Sequence, residues 1–187
     1  ASRYVDAVVT GEAETVWPQL LEDLGRGAMR TLYEGGLEDL RRSRPARHDL
    51  LSGKYSFGAI QTTRGCPLNC SFCSVSAFNG LSYRHRSVED VIADLRLLPE
   101  KRVLIVDDNL IGISPKHIAR TKELLRAMIA ADLGKKWICQ ATINMADDDE
   151  LLDLARRAGC AGVFVGFESP TTEGLIEVHK QYHLRGG

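Results

Sequence analysis

The sequence lacks any apolar run approaching the roughly 20 residues needed to span a bilayer. Nor does it open on a charged-then-apolar leader; "ASRYVDAVVTGE" reads as the middle of a domain. Charge of one sign is not in excess. Lys and Arg number 24 against 25 Asp and Glu, a net charge of −1, which offers nothing to attract nucleic acid or an anionic membrane. Repeats and low-complexity tracts are absent. An even set of cysteines is missing too: there are five, three of them within eight residues. A secreted disulfide framework uses even counts in a short chain, so a reducing, cytoplasmic setting and metal chemistry fit better. What remains is ordinary globular composition, 44% hydrophobic and 26% charged over 187 residues, enough for one sizeable core.

Periodicity predicts alternating strands and helices. Val5 to Val9 reads as a short strand closed by Gly11, followed by a helix capped by Thr15 with Val16, Leu20, Leu21 and Leu24 on one face. A strand is expected in "MRTLYEG". Arg41, Arg42, Arg44, Pro45 and Arg47 then suggest a solvated, Pro-broken linker. Phe57 to Thr63 is expected as a strand. Ser87 should cap a helix carrying Val88, Val91, Ile92, Leu95 and Leu98. "RVLIVDD" reads as a strand covered on both faces. Ser114-Pro115 opens the next helix, "WICQAT" is a strand, Asp147 or Asp148 caps a further helix ending at Gly159, and "AGVFVGFES" is a strand followed by a helix begun at Pro170 and Thr171. This α/β alternation with short loops predicts parallel strands, in a doubly wound sheet or a barrel.

The informative segment is "TTRGCPLNCSFCS", in which Cys66, Cys70 and Cys73 are spaced C-x3-C-x2-C. A structural zinc site closes with four protein ligands. Cys139 and Cys160, in a strand and at a helix end, read as small buried hydrophobes. His85 stands between Arg84 and Arg86, whose charge argues against a place beside a cation. Three thiolates with a vacancy describe instead a four-iron cluster with one iron not ligated by protein, since clusters for electron transfer alone normally use four cysteines. The loop follows the first strand of the βα series, and loops at the carboxyl ends of strands build the active sites of such folds. A zinc knuckle or a redox loop is the competing reading.

"RGCPLNCSFC" resembles the C-x3-C-x2-C motif of the radical S-adenosylmethionine (SAM) superfamily, with Phe72 as the aromatic before the third cysteine. The resemblance implies a partial (β/α) barrel of TIM-barrel type. It also implies a [4Fe-4S] cluster on Cys66, Cys70 and Cys73 whose open iron is chelated by SAM. One electron would cleave SAM to methionine and a 5′-deoxyadenosyl radical. By matching, Asp107, Asp108 and Asn109 after the second barrel strand, Gln140 after the third, and Glu168 and Ser169 after the fourth are expected around SAM, with Glu168 on the ribose and Phe72 near the adenine. Arg84 or Arg86 competes between a cluster role and a solvated helix lead-in.

"VDAVVTGEAET" is similar to the end of the cobalamin-binding domain that precedes many radical SAM domains, which implies cobalamin as a further cofactor near Gly11 and Glu12. The expected division is a cobalamin-domain tail over 1–34, a linker over 35–54 and a radical SAM core over 55–187. Only four of six barrel units are counted, so the chain reads as a fragment with an unpaired edge on its last strand. The resemblance implies an enzyme, with methyl transfer to an unreactive carbon as the default activity. It would act on a small-molecule or peptide substrate with a reductant such as flavodoxin or ferredoxin, with neither nucleic acid nor membrane as partner. A methylthiotransferase-like enzyme is the alternative, though residues 1–65 hold no cysteine for its second cluster. A non-enzymatic iron–sulfur or zinc module is the third reading.

Overall fold

The computed structural model describes residues 4–186. A front unit comes first: β1 (Val8–Thr10), α1 (Trp17–Gly25) and β2 (Leu32–Glu34), with β1 and β2 paired in parallel. Tyr33 and Leu20 are its buried apolar side chains. The expected strand at Val5–Val9 begins later and includes Thr10. Thr15 does not cap α1. Its hydroxyl donates to the Glu12 carbonyl at 2.9 Å and accepts from the Gly36 amide at 2.9 Å, tying the turn after β1 to the end of β2. Of the expected apolar face, Leu21 and Leu24 are exposed.

A second, four-stranded sheet forms the body. Its strands are β3 (Gly58–Ile60), β6 (Arg102–Ile105), β7 (Lys136–Gln140) and β8 (Cys160–Phe164), in that spatial order and all parallel. Between β3 and β6 lie a small antiparallel pair, β4 (Thr63–Arg64) with β5 (Arg84–His85), the short α2 (Val75–Asn79), and α3 (Val88–Leu97). The remaining helices are α4 (Pro115–Ala131), α5 (Asp149–Arg157) and α6 (Thr172–Glu177).

The helix starts follow the sequence closely. Ser87, Ser114, Asp148 and Thr171 each accept a hydrogen bond from the backbone amide three residues on, at 3.1, 3.2, 2.9 and 3.1 Å. Each such cap stabilises its helix by about 1 kcal/mol. Val91, Leu95, Leu124, Leu125, Leu151 and Leu154 from the helices then bury against Ile60, Val103, Ile105, Trp137 and Cys139 of the sheet. The sheet is covered on that one face. Leu104 and Ile138 on the other face are half-buried, and Val106 is 38% exposed, so β6 is not the doubly covered strand its apolar run suggests. Cys139 is buried in the core and Cys160 packs against it, as small hydrophobes.

Two departures from the sequence reading carry physical content. The single strand expected over Phe57–Thr63 is broken at Gln61–Thr62. There the fully buried Asp107, two residues past β6, accepts from the Thr62 amide and hydroxyl at 2.5 Å each, and from the Thr63 amide at 3.0 Å. One carboxylate replaces the strand ladder and bends the chain out of the sheet. The linker is also less open than its charge suggests. Asp39 starts a one-turn 3-10 helix, Leu40–Arg42, whose Leu40 is buried.

Replacing Asp107 by Ala leaves two buried amides and a hydroxyl without an acceptor. At about 1–3 kcal/mol for each unsatisfied buried group, the expected loss is at least about 3 kcal/mol, read as a lowered urea midpoint, with Asp107→Asn losing less.

Candidate cofactor site

The cysteine loop is held at both ends. At its start, Gly65 takes φ +84°, and a Cβ there would lie 2.2 Å from the Ser82 carbonyl oxygen and 2.9 Å from that of Asn79, so no side chain fits. The Gly65 amide donates to Asp108 Oδ2 at 3.2 Å, and Asn79 Nδ2 donates to the same oxygen at 2.9 Å. Adjacent aspartates at the end of β6 therefore fix consecutive parts of one loop, Asp107 at residues 62–63 and Asp108 at residue 65. At the far end, the Cys73 amide donates to the Cys70 carbonyl at 3.1 Å, and the Ser71 amide to the Val178 carbonyl at 3.3 Å.

The three thiols lie within electrostatic range of one another. Burial raises the pKa of Cys66, and the neighbouring Cys70 and Cys73 add to that, while the Leu68 amide and Asn109 favour its thiolate. Burial likewise raises Cys70. Lys180 opposes that rise, and Cys73 and Glu168 add to it. Neutral thiols held close and short of solvent are poor anions alone and good ones around a cationic centre. Among the described residues, no three His, Cys, Asp or Glu groups converge as the ligands of one metal ion would. The donor set fits a polynuclear cluster, in which each thiolate takes a different iron.

Asn109, 2% exposed, accepts from the Gly112 amide at 3.2 Å through its carbonyl oxygen, and its Nδ2 beside Cys66 has no hydrogen-bond partner. Glu168 sits in the left-handed region at φ +62° and pairs with Lys180 Nζ at 2.8 Å. Ser169 accepts from the Thr171 amide at 3.1 Å and shapes the turn into α6. Phe72 is 57% exposed, with Lys180 Nζ 6.0 Å from its ring centre. Gln140 is exposed at the end of β7, its carbonyl taken by the Leu110 amide at 3.0 Å.

Several of the expected cofactor-binding residues are engaged within the protein itself. Asp107 cannot meet a cofactor, since it is fully buried with both oxygens engaged. Asp108 offers the loop, rather than a ligand, one of its oxygens. Glu12 is a clamp between the front unit and the body. It is buried, accepts from Arg84 at 2.5 and 2.9 Å and from the Glu38 amide at 2.7 Å, and lies 3.3 Å from Arg64. Burial works to raise its pKa, but Arg84, the Glu38 amide and Arg64 overcome that and hold it below the ordinary carboxylate value. Gly11 is needed for backbone reasons: at φ +72°, a Cβ would lie 2.3 Å from the Gly35 carbonyl oxygen. Arg84 and Arg86 are not a solvated lead-in: Arg84 belongs to the Glu12 clamp and Arg86 pairs with the buried Asp94 at 2.5 Å, so both charges expected to stabilise the cluster or the SAM carboxylate are already paired. A cavity of about 730 Å³ between α1, residues 40–48 and the β3 edge lies away from the cysteines, and two of its arginines, Arg64 and Arg86, are already committed to these pairs.

Sequence reasoning missed Lys180 and Tyr182. Lys180, 7% exposed, donates to the Gly166 carbonyl and to Glu168, both at 2.8 Å, and its charge reaches Cys70. Burial raises the Tyr182 pKa, and the nearby Cys70, Cys66 and Glu168 raise it further. Both lie more than a hundred positions from the cysteines, in a segment without a motif.

Residues 60–187 match the family model described as the radical SAM superfamily. The chain belongs to the radical SAM superfamily. Two radical SAM structures share its fold. TsrM from Kitasatospora setae, solved with tryptophan and a SAM analogue, superposes with a TM-score of 0.70 at 20% identity over 89% of this chain and 38% of that one. The cobalamin-dependent SAM radical enzyme OxsB, solved with aqua-cobalamin and SAM, gives 0.73 at 17% identity over 91% and 29%. The α/β architecture with its parallel sheet is thus the partial barrel of this superfamily. Among sequence relatives, the bacteriochlorophyllide d C-12(1)-methyltransferase of Chlorobaculum tepidum is 33% identical over 96% of this chain. The hopanoid C-3 methylase of Methylococcus capsulatus is also 33% identical over 96%. The chain spans 41% and 38% of the lengths of these two relatives.

Gly65→Ala is expected to push the loop entry off the Ser82 and Asn79 carbonyls. Iron bound after anaerobic reconstitution should fall to less than half that of the unsubstituted protein, measured by colorimetric iron assay.

Proposed function

We propose that this chain is the cluster-binding portion of a radical SAM enzyme, and that the enzyme is a cobalamin-linked methyltransferase acting on an unreactive carbon. The observation that carries the proposal is the braced loop that holds Cys66, Cys70 and Cys73 within electrostatic range of one another. The methyltransferase reading is supported by relatives whose names specify methyl transfer, each 33% identical along nearly the whole chain.

When bound, the [4Fe-4S] cluster supplies the electron that cleaves SAM reductively, and cobalamin supplies a carrier for the methyl group. The protein's own residues hold and shield. Cys66, Cys70 and Cys73 hold the cluster, and the Asp107 and Asp108 braces keep the three thiols in register before it binds, which lowers the ordering cost of assembly. Lys180 offsets negative charge at Cys70. Glu168, at the rim after β8, offers a carboxylate that can accept from both ribose hydroxyls, Ser169 shapes the turn beside it, and Phe72 offers an exposed ring for the adenine. Gln140 is the remaining polar side chain at a strand end facing solvent.

On this reading, residues 1–34 are the tail of a cobalamin-binding domain, 35–54 connect, and 55–187 are radical SAM core. The Glu12 clamp to Arg84 is what fixes the first to the third. The substrate is a small molecule or peptide, the electron donor is a flavodoxin or ferredoxin, and the setting is cytoplasmic. Among the described residues no helix is long and apolar enough to cross a membrane.

Anaerobic reconstitution should give about four irons and four sulfides per chain, with charge-transfer absorption. Cys70→Ala should lose most of both. Iron content unchanged in Cys70→Ala, or one zinc bound in place of iron, overturns the assignment.

A further inference from the structure

Asn109 contains a buried polar atom that the fold does not use. Its side chain is fixed by its carbonyl: Oδ1 accepts from the Gly112 amide at 3.2 Å and lies 3.5 Å from the Thr142 hydroxyl, which also approaches the Gly112 carbonyl at 3.4 Å. With Oδ1 committed, the direction of the amide nitrogen is set. That nitrogen is fully buried and has no hydrogen-bond partner. A buried N–H without an acceptor costs about 1–3 kcal/mol, so a fold that keeps one generally has a use for it. The side chain stands by Cys66 and favours its thiolate, although Nδ2 is not yet within hydrogen-bonding geometry of any acceptor. The alternative use, a purely local brace of the turn through Gly112, is served by Oδ1 and does not call for Nδ2.

We propose that the Asn109 amide is a positioning and tuning group that donates to the Cys66 thiolate when it ligates iron, and so sets the reduction potential of the cluster. This rests on the radical SAM reading above. A thiolate bound to a reduced cluster carries more negative charge than one bound to an oxidised cluster. A fixed N–H donor therefore stabilises the reduced form more and raises the potential. Burial amplifies the effect, because little solvent screens the dipole. Asn109 exchanges no proton and touches no substrate in this role.

The test is a redox titration of the reconstituted protein, followed by electron paramagnetic resonance, with iron assayed on every sample. Two substitutions separate tuning from folding. Asn109→Asp keeps an oxygen for the Gly112 amide and removes the N–H. Asn109→Leu removes both. The titration is run well above the carboxyl range, so that the Asp variant is anionic. Both variants should retain iron and titrate at a more negative potential. The expected change is about tenfold in the reduced-to-oxidised ratio at fixed potential, equivalent to 59 mV for one electron. Full iron with an unmoved potential in both variants overturns the inference. Loss of iron from both makes Asn109 a brace only and equally overturns it. An unsubstituted protein that builds no cluster removes the radical SAM reading itself, an outcome distinguishable from the other two by its control sample.

Discussion

Everything at this site depends on one strand end. Two consecutive carboxylates after β6, Asp107 and Asp108, reach across to the neighbouring β3 segment and hold the chain as it leaves the sheet. A parallel ladder would carry the backbone straight on. Asp107 instead takes the hydrogen bonds of residues 62 and 63, and the chain turns. Gly65 then passes where no Cβ fits, and the three cysteines follow within eight residues. Burial still raises the Asp107 pKa, and three donors, one of them a hydroxyl, converge on the carboxylate and offset part of that cost. Pre-forming the loop matters because thiols free to diverge would have to be gathered at the moment of cluster assembly.

Around that loop the structure divides its charges by task. Arg84 and Glu12, and Arg86 and Asp94, are buried pairs that join pieces of the molecule, and neither arginine is left for a ligand. Such pairs contribute little net stability against well-packed apolar residues, yet losing one member leaves a buried charge uncompensated. They are better understood as fixing how the front unit meets the body. Lys180, Glu168 and Asn109 lie on the thiol side. Two of them form a pair at the rim, and the third is an amide with an unused N–H. The joints keep unpartnered buried atoms of their own, Arg84 Nε, Arg86 Nε and Nη2 and Asp94 Oδ1, so what sets the Asn109 amide apart is its place beside Cys66.

The sequence made the scaffold legible because its signals are local. Ser87, Ser114, Asp148 and Thr171 are caps readable from three residues of context, and strands such as "WICQ" are short apolar runs between helices. The cysteine spacing is equally local. What could not be read were long-range commitments of polar side chains. Asp107, Asp108 and Glu12 look from the sequence like free carboxylates at strand ends, and each is spent on a backbone amide or an arginine some 26 to 72 positions away. Lys180 was invisible for the same reason, since only the return of the chain after α6 brings it to Cys70. Thr15 shows the local version of the failure. It has the residue type and position of a cap, but a nearer carbonyl takes its hydroxyl.

The central claim is that three thiolates from one loop hold a cluster and leave one iron for SAM. It is tested most directly by electron paramagnetic resonance of the reduced, reconstituted protein, recorded with and without SAM. The account predicts a reduced cluster signal whose g-values and line shape change when SAM is added, because the nucleoside binds the open iron. A cluster signal that is identical in both samples would contradict it, since the fourth coordination position would then be closed to SAM.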